Sequence, residues 1–193
     1  MMLLLWELML AGVCWGQSPA TEHFNRGIQW LNEGEPDKAI PEFTKAIELD
    51  PKMADAYYQR GAKTIEVGGD VDAAIRDLSK AIELDARQTD ALATRGQAYE
   101  GRKEYDKAIA DFSKYIALDP REQNGSALGY LGRGRCRMEK KDVAGAVADF
   151  TKAISLFPKS AEGYRLRALA HDKAGDKAKA EADRKMCKEL TPR

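Results

Sequence analysis

The chain has 193 residues, of which 32% are charged and 44% hydrophobic, and its 31 lysines and arginines balance its 31 aspartates and glutamates. That size and composition suit one α-rich domain or one compact repeat array, and the neutral balance gives no reason for a nucleic acid or an anionic membrane chosen by bulk charge. Three cysteines (Cys14, Cys136 and Cys187), with no C-x-x-C or metal-ligand spacing, argue against a disulfide framework and against a cysteine-built metal site.

The first element is the apolar run MMLLLWELMLAGVCWG, residues 1–16. It is shorter than the roughly 18–20 residues a membrane-spanning helix needs, and Glu7 interrupts it. Small residues before Gln17, then Ser18-Pro19-Ala20, fit a cleavage region. Residues 1–19 therefore read as a signal peptide with a short linker, and the mature protein as periplasmic or secreted. No lysine or arginine precedes the run, so a cytoplasmic protein with an amphipathic start segment is the alternative. Lipidation at Cys14 is a further one.

From residue 20 onward one unit recurs. AIPEFTKAIELDP (39–51), AIRDLSKAIELDA (74–86), AIADFSKYIALDP (108–120), AVADFTKAISLFP (146–158) and the weaker AEADRKMCKELTP (180–192) start 35, 34, 38 and 34 residues apart. Each unit reads as two helices. In the first (20–53), a turn at Glu33-Gly34-Glu35-Pro36-Asp37 precedes a helix with Ile40, Phe43 and Ile47 on one face. Pro41 is expected to kink or delay that helix, and Leu49-Asp50-Pro51 to end it. The second unit (54–88) turns at Gly68-Gly69-Asp70. The third (89–122) carries Ile109, Phe112 and Ile116. Four extra residues fall within 121–129, where Asn124-Gly125 predicts a loop rather than an added helical turn. The fourth unit (127–160) presents Val147 and Ile154. The fifth (161–193) turns at Lys173–Asp176 and puts Glu181, Arg184 and Lys188 where earlier copies are apolar. Such a polar outer face is what a terminal, capping repeat needs.

Over residues 20–193 the chain resembles the tetratricopeptide repeat family. The first copy carries the resemblance through Gly27, Trp30, Ala39, Phe43, Ala46 and Pro51, and the third through Leu92, Gly96, Tyr99, Ala108, Phe112 and Pro120. The resemblance implies an all-α fold, a right-handed α-solenoid of five helix-turn-helix repeats. It also implies a concave groove, lined by the first helices, that grips peptides. By register the groove candidates are Phe24, Ile28, Tyr58, Gln59, Thr94, Gln97, Leu131, Arg135, Arg165 and Leu169. They describe a groove that is apolar at its N-terminal half and basic at the other, suited to a peptide with apolar anchors at one end and carboxylates at the other.

The chain departs from the family pattern where an arginine recurs, followed 16 or 17 residues later by an acid. In antiparallel hairpins these fall opposite each other, which predicts a ladder: Arg26–Glu42, Arg60–Asp77, Arg95–Asp111, Arg133–Asp149 and Arg167–Asp183. Its expected role is to fix register from a partly buried position. His23 and His171 take places that hold Tyr57 and Tyr99 in other copies and read as packing residues, and Cys136 and Cys187 read as inert. No nucleophile–base pair, metal set or phosphate loop is legible, so neither catalysis nor a cofactor is expected. The lysines, asparagines and arginine with which family members clamp the C-termini of Hsp70 or Hsp90 are missing in either frame: Phe24, Ile28, Gln59, Asp90 and Thr94, or Tyr58, Ala62, Thr94, Leu128 and Gly132. The leading reading is a noncatalytic scaffold for protein or peptide partners. The alternative is an RNA-associated or regulatory subunit acting through the basic run Arg133–Lys141, although no aromatic residues interleave there for stacking on bases.

Overall fold

The computed structural model describes residues 18–118 and 124–191, and every regular element among them is a helix. Five pairs follow one another: α1 (Pro19–Asn32) with α2 (Pro36–Leu49), α3 (Ala54–Glu66) with α4 (Val71–Leu84), α5 (Thr89–Gly101) with α6 (Tyr105–Leu118), α7 (Asn124–Glu139) with α8 (Val143–Leu156), and α9 (Ala161–Lys173) with α10 (Lys177–Leu190). Each helix packs on the next in chain order, and the first helices also touch in succession, α3 with α5, α5 with α7 and α7 with α9. The array therefore curves with its first helices on the inner face. The expected leader and Cys14 lie outside the described residues, as does the Asp119-Pro120 stop of the third unit.

Local chemistry makes the hairpins. Within each pair the turn contains one residue in the left-handed region: Gly34 (φ 78°), Gly68 (73°), Lys103 (61°), Lys141 (66°) and Gly175 (82°). The two lysines adopt a conformation that costs a residue with a Cβ about 1–2 kcal/mol. Ser18, Asp70, Asp142, Ser160 and Asp176 then cap α1, α4, α8, α9 and α10 by accepting backbone N–H bonds of the first turn. At the far end, proline is not required to stop a second helix. Asp50 precedes Pro51 and Asp85 precedes Ala86, yet both are extended. The side chain of each accepts from the backbone N–H two residues on, Lys52 for Asp50 at 3.0 Å and Arg87 for Asp85 at 2.9 Å. These aspartate turns compete with the helix whether or not proline follows.

The core is a row of separate fillings, one per hairpin. Phe43, Leu78, Phe112 and Phe150 are fully or almost fully buried, each beneath a glycine of its partner helix. A Cβ on Gly27 would lie 2.5 Å from the Phe43 ring, and one on Gly134 would lie 2.5 Å from Phe150. The fifth hairpin has Ala168 in the glycine position and Arg184 in the aromatic one. Arg184 turns outward to Asp172 and Glu181, so no ring needs the space.

Two expectations are corrected. Pro41 lies inside α2 without delaying it, and α2 has the same 14 residues as α4, α6, α8 and α10. Pro36 at the first position sets the helical φ and starts the helix upstream of Pro41. Asn124-Gly125 is not a loop either. It opens α7, which at 16 residues is longer than the other first helices. Neither residue is penalised at a helix start as it would be in the interior, so part of the insertion becomes an additional helical turn.

Candidate functional site

The arginine ladder takes one form in four units. Arg60 donates from Nε and Nη2 to Asp77, both at 2.7 Å. Arg95 does so to Asp111 at 2.8 Å, Arg133 to Asp149 at 3.0 and 2.7 Å, and Arg167 to Asp183 at 2.8 and 2.7 Å. The remaining Nη1 reaches back into the preceding unit, to the hydroxyls of Thr44, Ser79, Ser113 and Thr151 in turn, at 3.3, 2.8, 3.1 and 3.3 Å. Each guanidinium also sits 5.3–5.8 Å from the ring centre of a tyrosine: Tyr57, Tyr99, Tyr130 or Tyr164. The hydrogen bonds to Asp77, Asp111 and Asp183 hold the Arg60, Arg95 and Arg167 guanidinium pKa values above the ordinary one. The ladder thus joins units as well as helices. Sequence reasoning missed the hydroxyl, although a Ser or Thr recurs two residues after the acid in four copies. The fifth copy has Lys185 there.

The first rung departs from this form. His23 Nδ1 donates to Glu42 Oε2 at 2.6 Å, while Arg26 stays 3.8 Å away with 53% of its side chain exposed. His23 is therefore not only a packing residue: it occupies the carboxylate that the arginine holds elsewhere. The hydrogen bond from His23 is the main influence that lowers the Glu42 pKa, opposed by burial and aided by Lys45 and Arg26. His171 is buried and stands 3.9 Å from Asp183.

The groove candidates divide. Phe24, Ile28, Tyr58, Gln59 and Thr94 are half-buried along the first helices, and Gln97, Arg165 and Leu169 are exposed. Leu131 does not line the groove. It is 6% exposed and packs into the core with Phe150 and Leu166. Thr94 and Gln97 line a 360 Å³ cavity with Ile65, Val71 and Ala98. Further along, α5, α7 and α9 enclose a second cavity of 370 Å³. Met138, Phe150, Leu166 and Leu169 form its floor, and Glu100, Arg135, Glu139, Asp172 and Lys173 its rim. This volume is at the small end of the roughly 300–1,000 Å³ of ligand pockets and suits one or two apolar side chains.

Neither groove arginine is free. Arg135 is held bidentately by Glu100 at 2.7 and 2.9 Å, from the helix of the preceding unit, and Arg165 by Glu162 at 2.6 and 2.7 Å. Three more cations of the basic run are engaged as well. Arg133 and Arg137 share Asp149, and Lys140 bonds Asp106. A basic face spanning Arg133–Lys141 is therefore largely neutralised by carboxylates. Among the described residues no cluster of His, Cys, Asp and Glu could hold a metal ion. Burial pushes the Cys136 thiol up to about 12, which keeps it out of thiolate chemistry at neutral pH.

Stacked helical hairpins with an inner groove and an interior joined by repeated ion pairs define an α-solenoid of the helix-turn-helix class. Tetratricopeptide repeat models match residues 20–53, 67–122 and 131–187, and the chain belongs to that family. Among solved structures it is similar to a MamA protein (24% identity over 89% of this chain and 91% of that one, TM-score 0.80). It is also similar to MamA, from residue 41 to the end, of Desulfovibrio magneticus RS-1 (18%, covering 90% and 95%, TM-score 0.82). A third similar structure is PilW, a type IV pilus biogenesis factor (17%, covering 91% and 79%, TM-score 0.75). At these identities the likeness is one of fold. The search of curated proteins gave no match.

Proposed function

We propose that the chain is a noncatalytic scaffold that holds a segment of another protein against its concave face. The observation that carries this reading is the apolar cavity between α5, α7 and α9, where Leu169 keeps 47% of its surface exposed. An exposed leucine over a preformed apolar floor gains by burial about 25 cal/mol for each Å² covered, and anchors of this kind carry most of the energy of an interface. Membership in a family of protein-interaction arrays supports the same reading, and such arrays are typically without catalytic activity. The apolar leader further supports export, which N-terminal sequencing of the native protein would test: a chain starting near Gln17 or Ser18 is expected, and an intact Met1 would refute export.

Leu169→Asp is the direct test of the groove. Because the side chain is half exposed, the far-ultraviolet circular dichroism and the melting temperature should stay as they are. Affinity for a partner captured by the full chain should fall at least tenfold. Undiminished affinity would remove this face from the function.

A further inference from the structure

Extending the concave-face reading, on which it rests, we infer that the segment held there is cationic and apolar: one large aliphatic or aromatic anchor, with lysines or arginines toward its α3–α5 side. The charges on the first helices lead to this. The ladder arginines belong to the aspartates of the second helices. Of the other cations, Arg135 and Arg165 are each consumed by a glutamate with two hydrogen bonds, and Lys63 by Glu66 at 2.7 Å. From α3 to α9, Asp55, which accepts from Gln88 Nε2 at 2.7 Å, Asp90 and Glu139 have no ion pair among the described residues and are exposed, with only Lys173 of those first helices free on the opposite side of the balance; on α1 the exposed Glu22 and Arg26 offset each other. A chain that is neutral overall thus has a surplus of carboxylate along its inner face.

The arrangement is directional. The apolar cavity lies toward the C-terminal end, between α5, α7 and α9, while Asp90 and Asp55 stand on α5 and α3, one and two units back. Gln97 and Thr94, between them, offer neutral hydrogen-bonding groups to a passing backbone. An anchor seated on Met138, Leu166 and Leu169 would direct the chain on its α5 side over those carboxylates. Acidic residues at the same places would meet aspartates with no arginine left to receive them, and like-charge apposition discriminates strongly against a wrong partner.

Random twelve-residue peptides displayed on phage and panned against the full-length protein test this, with Leu169→Asp and the double variant Asp55→Lys/Asp90→Lys panned in parallel. The expected pool is enriched at least threefold in Lys and Arg, on one side of a single Leu, Met or Phe. A synthetic peptide of that consensus should lose at least tenfold in affinity to either variant, and at least threefold between 50 and 300 mM salt, roughly as a few surface charge pairs are screened. A pool that is neutral or acidic but still lost with Leu169→Asp would overturn the charge inference and leave the groove standing. Enrichment unaffected by Leu169→Asp, or none at all, would overturn both.

Discussion

The first unit and the four that follow it solve the same problem differently. In units two to five an arginine is fixed by its own aspartate, by a hydroxyl of the unit before and by a tyrosine face. In the first unit the acid is a glutamate, and a histidine takes the carboxylate while Arg26 faces solvent. The difference teaches that an acid at the right register does not by itself make the rung. With the carboxylate already taken, the arginine gives up the bidentate geometry even though its acid is close by.

The comparison can be broken by removing the acids. Asp149 is 3% exposed and accepts from both Arg133 and Arg137. Asp149→Ala would leave the half-buried Arg133 without a carboxylate and Arg137 with only Asp142 at 3.7 Å, and should cost about 3–5 kcal/mol, the usual penalty for breaking a buried pair. Urea unfolding monitored by circular dichroism would measure it. Glu42→Ala should cost clearly less. Equal losses would mean that the joint to the preceding unit adds nothing. A smaller effect isolates that joint: Ser79→Ala removes the acceptor for Arg95 Nη1 and leaves the Arg95–Asp111 pair intact, for about 1 kcal/mol. A loss within error would show the hydroxyl to be incidental.

The smallest effect is one of pH. Because the pKa of Glu42 is depressed in the folded chain, its contribution is complete above the ordinary glutamate value of 4.5. It is lost as pH falls through the depressed value. Between pH 5 and 3 the wild type should therefore lose stability more steeply than Glu42→Gln, as read from paired urea titrations. Parallel slopes would remove the His23–Glu42 bond from the energetics of the first unit.

Much of the scaffold was legible because it depends on short-range chemistry. Turn glycines, capping aspartates and apolar spacing act within one hairpin, and a separation of 16 or 17 residues across an antiparallel turn places Arg60 near Asp77 by geometry alone. The parts that were misread depend on neighbours further away. Arg135 looked like a free groove cation because its partner, Glu100, is 35 residues earlier. Leu131 looked exposed because the register was carried over from other units, whereas in the fourth unit that position is covered by the cluster around Phe150 and Leu166. Proline was credited with ending the second helices because it closes four of the five motifs, and Asp85 with Ala86 shows the aspartate to be sufficient. The groove candidates were placed by register, and burial now separates surface positions from core ones without assigning any of them a ligand.

Units two, three and four each supply both halves of the connection, an arginine for the unit behind and a hydroxyl for the unit ahead: Arg60 with Ser79, Arg95 with Ser113, and Arg133 with Thr151. Each is thus a module with matching ends. Duplicating or excising one would rejoin the array through an interface of the same chemistry, so the length of the inner surface could be changed without redesigning a seam.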